Sequence, residues 1–379
     1  VVQLELLLDE LPVLADVIPV PSRDGSNRFC DGTVHGHIAA LERTVMTYAK
    51  PWLSLSDQLA QLRQRGMVID DETRARTYLE RIGYYRLSGY WFAFRERSEA
   101  CCVWSAAEAG KSKKDKRVER LPLDQFKSGA SFQNAVDLYV FDKKLRLLVM
   151  DALERIEIAL RVDLSHRLGE RDRFAYLRAD LFHPTFSQLL EPSSGLTKHH
   201  DWLSKQAALI LRSKEEFIRH NREKYGLPLA IWVACEVWDF GSMSKLFGGM
   251  QEVDQDRIAQ RYGISNGRVF ASWLRSLNYL RNVCAHHCRL WNRNMSEQPK
   301  LPPLAELPAL QGFHGNSHRL ARPFLPLCMT QHLMQHINPS SSWGQRLRDL
   351  LLRGFPDVNH LGLNLGGMGV DEDWEQRPW

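Results

Sequence analysis

The stretch "SFQNAVDLYVFDKKLRLLVMDALERIEIALRVDLSHRLG", residues 131 to 169, carries apolar side chains at helical spacing for nearly forty positions. No strand has that length or that period, so the chain has to build around one long helix. Shorter helices are readable around it. Ser56 stands as an N-cap before "DQLAQLRQR" with Gly66 as a stop, and Asp70 opens "DETRARTYLERI" with Gly83 behind it. Further helices are expected at about 202 to 224, 229 to 248, 254 to 263 and 268 to 294. No alternating strand and no internal repeat is visible, so the expected class is all-α.

Three regions are expected. Residues 1 to 45 read as a peripheral extension, because the turn-rich "PSRDGSNRFCDG" breaks the amphipathic pattern before it. Residues 46 to 130 form an N-terminal helical region with a basic connection at 98 to 120, and residues 131 to 379 form the main helical bundle. With 44% hydrophobic and 25% charged residues the chain is expected to be globular rather than disordered. Seven cysteines, an odd number, fit no extracellular disulfide framework. Neither a signal segment nor an apolar run of membrane-spanning length is present, so the cytoplasm is the expected compartment, with no membrane partner. A net charge of +5 permits a nucleic-acid partner without requiring one.

The densest chemistry lies in "RNVCAHHCRLWNR", residues 281 to 293. On the helix expected from 268 to 294, a turn of about 100° per residue gathers Asn278, Asn282, His286, Arg289 and Arg293 within about 80°, with Arg281 about 60° to the other side. Trp273, Leu280, Val283, Cys284, His287, Cys288, Leu290 and Trp291 then form the packing face. His286 is expected among the polar groups and His287 buried as a neutral imidazole. Cys284, His287 and Cys288 offer three ligands to zinc, but the sequence supplies no fourth, and cysteines on a helix face are more often small apolar fillers. No metal is expected.

Arginine followed at short spacing by histidine says little by itself. With 14 histidines in an arginine-rich chain, chance alone gives about four such pairs. Arg281 and His286 gain weight from the polar stripe, where Asn278 and Asn282 flank the arginine and no carboxylate follows along the helix. A phosphodiester suits such a surface.

The string "SLNYLRNVCAHHCRLWNR" resembles the signature of the Abi-like family (AbiD/AbiF, bacterial abortive infection), a branch of the HEPN superfamily. "YLERIGYYRLSGYWFAFR", "FDKKLRLLVMDALERIEIALR", "RSKEEFIRHNREKYGLPLAIWVACEVWDFGSMSKLF" and "MGVDEDWEQRPW" extend the resemblance in order, from about Lys50 to Trp379. It implies a HEPN-type helical bundle that cleaves RNA in phage defence without metal or other cofactor, usually as a homodimer. Arg281 and His286 match the motif arginine and histidine, and Asn282 the polar residue beside that arginine. It also implies a non-coding RNA that restrains the protein, as in toxin–antitoxin pairs.

The chemistry can be argued from the residues themselves. RNA cleavage through the ribose 2′-OH needs a base for its proton, a cation for the phosphorane and an acid for the departing 5′-oxygen. Histidine suits the proton transfers, and the planar fork of arginine suits the phosphate. One His286 per chain supplies one of two proton-transfer groups, hence the expectation of a two-fold dimer. Arg289 and Arg293 are expected to touch RNA, with Tyr85 and Arg86 as candidates for stacking and clamping, although the aromatics of 84 to 91 at this spacing would more often be core. Glu154, Glu157 and Arg161 are expected to be ion pairs along the long helix, with a place beside Arg281 as the alternative. Two other readings stay open: a HEPN-fold RNA-binding or sensor protein that does not cleave, and a helical partner that detects a phage protein.

Overall fold

The computed structural model describes residues 50–103 and 117–376. The expected extension at 1 to 45 and residues 104 to 116 of the basic connection at 98 to 120 lie outside the described residues. The chain divides into two compact units, Val1–Ala135 and Val136–Trp379, with the division in the first turn of the longest helix.

In the first unit, helix α1 (Leu55–Gln64) starts two residues earlier than "DQLAQLRQR" suggests. Its N-cap is Ser54, which exchanges hydrogen bonds with Asp57 in a capping box, so Ser56 already lies inside the helix. Helix α2 (Glu72–Ile82) is capped by Asp71 rather than Asp70. Gly83, at φ 91°, then turns the chain directly into α3 (Tyr84–Trp91). Tyr90 and Trp91 are core residues, and Trp91 meets Tyr84 edge to face at 5.1 Å. Of the proposed RNA contacts here, Tyr85 and Arg86 both stand exposed on α3.

Contrary to the absence of strands expected from the sequence, four short ones follow. Strands β1 (Arg95–Arg97) and β4 (Pro122–Phe126) pair antiparallel, as do β2 (Cys101–Val103) and β3 (Arg117–Glu119). Three of them have only three residues and the five of β4 do not alternate between buried and exposed, which is why the sequence conceals them. The all-α class stands, since among the described residues every element longer than these strands is a helix.

Helix α4 (Phe132–Gly169) is the long element that the periodicity demands. Ser131 and Asn134 exchange side-chain-to-backbone hydrogen bonds at its start. In the second unit, successive polar side chains of α4 fasten successive parts of the chain. Asp142 holds the backbone at Leu290 and Trp291, and Asp151 pairs with Arg346. Arg161 donates to the carbonyls of Cys235 and Trp238, Asp163 accepts from Tyr262, and Arg167 reaches Asp254.

Beyond α4, short α5 (Pro184–Ser187) leads to α6 (Lys198–Arg212) and α7 (Glu216–Tyr225). The single helix expected at 202 to 224 is thus two, parted where Ser213 is extended and its hydroxyl accepts from the Glu215 amide. The helix expected at 229 to 248 is likewise interrupted. A short α8 (Ile231–Ala234) runs through a tight turn to the extended Trp238, and Asp239 caps the fresh helix α9 (Phe240–Gly249). Helices α10 (Glu252–Gln260) and α11 (Gly267–Ala285) follow, then α12 (Ser317–Leu320), α13 (Phe324–Ile337) and α14 (Trp343–Gly354).

Helix α11 lies at the centre of this unit, packed against α9, α10 and α13. Trp273 and Leu280 are fully buried on the expected packing face, and Leu274 and Leu277, also fully buried, widen it. Among the described residues no helix is long and apolar enough to cross a membrane.

Candidate functional site

Helix α11 ends at Ala285, nine residues before the expected 294. His287 adopts φ 57°, the left-handed conformation that terminates helices. The amide of Cys288 donates to the Val283 carbonyl at 3.0 Å, and that of His287 to the Cys284 carbonyl at 3.1 Å. This is a Schellman closure with histidine where glycine is usual. A sequence wheel cannot see this stop, because neither glycine nor proline marks it.

The closure redistributes the motif. His286 is the C-cap and is exposed, as expected, and its ring makes no side-chain hydrogen bond to a described residue. His287 is also exposed, so its expected burial is wrong: a residue in the turn beyond the helix is not on the helix's packing face. A β-branched side chain tolerates φ 57° poorly, so His287→Val should destabilise the protein by about 1–2 kcal/mol, read from thermal melts.

Residues 288 to 293 form a loop rather than a helical face. Leu290 and Trp291 are buried as expected, yet through that loop, and Cys288 is only half-buried. Arg293 turns back to α11, its Nε donating to the Tyr279 hydroxyl at 2.9 Å and its guanidinium lying over the Tyr279 ring. Arg289 shares the loop and offers its carbonyl to Arg293. Neither arginine therefore continues the helical stripe.

Two α4 residues hold this loop from beneath. The buried Asp142 pairs with Arg146, also buried, and its carboxylate accepts the Leu290 amide at 3.1 Å and the Trp291 amide at 2.7 Å. Arg146 donates in addition to the Cys288 carbonyl at 3.3 Å. The sequence does contain the signal. Asp142 and Arg146 sit at core positions of α4 among Leu138, Phe141, Leu145 and Val149, all buried. Charges there demand partners, and the partner is the motif loop.

Arg281, Asn282 and Asn278 lie half-buried on the last turns of α11, and Arg281 Nη1 donates to Asn282 Oδ1 at 3.4 Å. The helix supplies no carboxylate, but the fold brings one to it. Glu157 of α4 is bonded to Arg161 at 3.2 Å and feels the charge of Arg281 as well as that of Arg161. Glu154, one turn earlier on α4, is exposed where Glu157 is half-buried and makes no ion pair or side-chain hydrogen bond to a described residue, so only Glu157 joins the cluster. The connection runs through α9, where a Cβ on Gly241 would stand 3.3 Å from Asn278 Oδ1 and 3.4 Å from Asp239 Oδ1.

Burial raises the Glu157 carboxyl above its ordinary range against the pull of Arg161 and Arg281, with Asp239 adding repulsion. Folded protein thus retains a proton there that the unfolded chain has released, and stability falls as pH rises from 4.5 through the raised value. Glu157→Gln should flatten this fall in melts recorded from pH 4.5 upward.

Burial pushes the Cys284 thiol far up, with the Asp142 carboxylate adding to the shift, so it is a protonated filler. Among the described residues no three His, Cys, Asp or Glu side chains are grouped so as to hold a metal ion.

An all-α chain that carries arginine, asparagine and histidine on the last turns of a central helix, with a carboxylate of α4 close by, is the class that fold and site define. Residues 77–292 match the family model described as Abi-like protein, which is more than half of the chain, and the chain belongs to that family. The match ends one residue before Arg293 and encloses Glu157, Arg281 and His286. Searches of curated proteins and of solved structures each returned no match.

Proposed function

We propose that this protein is a metal-independent HEPN-type endoribonuclease of abortive-infection phage defence. The observation that carries the reading is the presentation of Arg281 and His286 on the last turns of α11 in a chain of the Abi-like family. Along the helix axis their Cα atoms are separated by about 7.5 Å, near enough for both side chains to address one phosphodiester.

In this reading the 2′-oxygen attacks the adjacent phosphorus while a base removes its proton, and the bond to the 5′-oxygen breaks as an acid protonates it. The products carry a 2′,3′-cyclic phosphate and a free 5′-hydroxyl. Arg281 stabilises the charge on the phosphorane through two N–H groups, and His286 transfers a proton. Asn278 and Asn282 add neutral donors beside the arginine without competing for the phosphate. A second copy supplies the other histidine, so the working form is a homodimer, and a non-coding RNA bound over the same polar surface restrains it.

RNA incubated with the protein in EDTA should be cut to fragments with 2′,3′-cyclic phosphate or 3′-phosphate ends. A fully active stable monomer would overturn the dimer. Wild-type protein that binds RNA with steep salt dependence and cuts none would instead be an RNA-binding or sensor protein.

A further inference from the structure

We propose that Lys245 and Arg275 form a track for the RNA backbone, leading away from the cleavage site along the groove between α9 and α11. The proposal rests on the reading of Arg281 and His286 as an RNA site, and extends it to a surface that their motif does not contain.

Helices α9 and α11 are packed together and run antiparallel. Gly241 lies against Asn278 at one end of the contact, and the rings of Phe247 and Phe270 meet at 5.3 Å toward the other. Moving forward along α9 therefore means moving backward along α11. Lys245, one turn beyond Gly241 on the same face of α9, comes alongside the α11 turn from Ser272 to Arg275. Arg275 in turn lies on the exposed face that continues through Asn278 to Asn282 and His286. Lys245 and Arg275 are thus on one side of the helix pair, and both are exposed.

Their charges are available. Among the described residues neither Lys245 nor Arg275 makes an ion pair or a side-chain hydrogen bond. The next arginine back along this face, Arg268, is different, because Glu252 binds it. The track of uncompensated cations therefore ends at Arg275. Between Arg275 and Arg281 the helix rises about 9 Å, a separation that neighbouring phosphates of an extended strand can bridge. Gly248, exposed with open space around its Cβ position, and the half-buried Gly241 keep the α9 side of this surface low. A single strand can lie close to it.

Cations spaced along a low surface bind backbone and read no sequence. The ligand is accordingly the phosphate backbone of single-stranded RNA next to the scissile step, whatever its bases.

The test compares two proteins in a His286→Ala background, which slows cleavage enough for binding to be titrated: one otherwise unchanged and one with Lys245→Ala and Arg275→Ala. A fluorescent single-stranded oligonucleotide is titrated at several salt concentrations. Loss of both cations should make the slope of log affinity against log salt shallower by about 1.4, or about 0.7 for each lost phosphate contact on a single strand. Near 0.15 M salt the affinity should fall about tenfold, equally for oligonucleotides of different sequence. Both residues are exposed, so melting temperatures should agree. Arg275→Glu alone, placing repulsion on the track, should weaken binding further than Arg275→Ala. Equal slopes and affinities, with the parent binding RNA, would overturn the track and leave the nuclease reading standing. A parent that binds no RNA at any salt would overturn both.

Discussion

Asp142→Ala should lower the free energy of unfolding by about 3–5 kcal/mol, the largest single effect expected among the polar residues of the second unit. The substitution leaves the Arg146 guanidinium buried without its carboxylate and strips two buried amides, those of Leu290 and Trp291, of their acceptor. Asp142→Asn should be milder, because the amide oxygen can still accept from the loop while the charge pairing with Arg146 is lost. Chemical denaturation of the two variants checks the order. The loss should also reach the site. With residues 288 to 291 released, the Schellman turn that sets His286 loses its anchor, and RNA cleavage should fall in Asp142→Asn even under conditions where it stays folded. Full activity in a folded Asp142→Asn protein would show that the loop does not position the histidine.

His286→Ala and Arg281→Ala should each leave the protein folded and reduce RNA cleavage by about 10²–10⁴-fold, the usual worth of a proton-transfer group or a transition-state cation. His286 is exposed and makes no side-chain hydrogen bond to a described residue, so the melting temperature of His286→Ala should match wild type. Arg281→Lys separates charge from geometry. It keeps the cation near Glu157 but loses the two-pronged contact with phosphate, and should recover only part of the activity. Toxicity on expression, present for wild type and absent for both alanine variants, would give the same answer in cells. Wild-type levels of cleavage by His286→Ala would end the proposed mechanism.

Much of this architecture was legible in the sequence where a periodic signal extended over many residues. Helix α4 and the buried face of α11 are of that kind. Interruptions held in place from a distance were not. Arg161 clamps two carbonyls where the chain between α8 and α9 breaks, and nothing local to residues 235 to 239 announces a side chain arriving from α4. The stop after Ala285 is similar, since histidine replaces the expected glycine and the supporting carboxylate lies far back in the sequence at Asp142. At the candidate site, the grouping of Asn278, Asn282 and His286 needed only helical geometry. The approach of Glu157 needed the packing of two helices, which spacing along one chain cannot supply.

The fastenings along α4 have a consequence for which changes in chain length the protein can absorb. At 38 residues this helix is about 57 Å long, and it meets other parts of its own unit with residues 142, 146, 151, 161, 163 and 167 in turn, while Glu157 feels the charge of Arg281. Insertion of one residue between Asp142 and Glu157 would rotate the two ends against each other by about 100°. The motif loop and the Arg281 cluster would then be addressed by opposite sides of the helix. Length variation is accordingly expected to be excluded from α4 and confined to the connections between helices, so that this one element serves as the ruler against which the rest of the site is set.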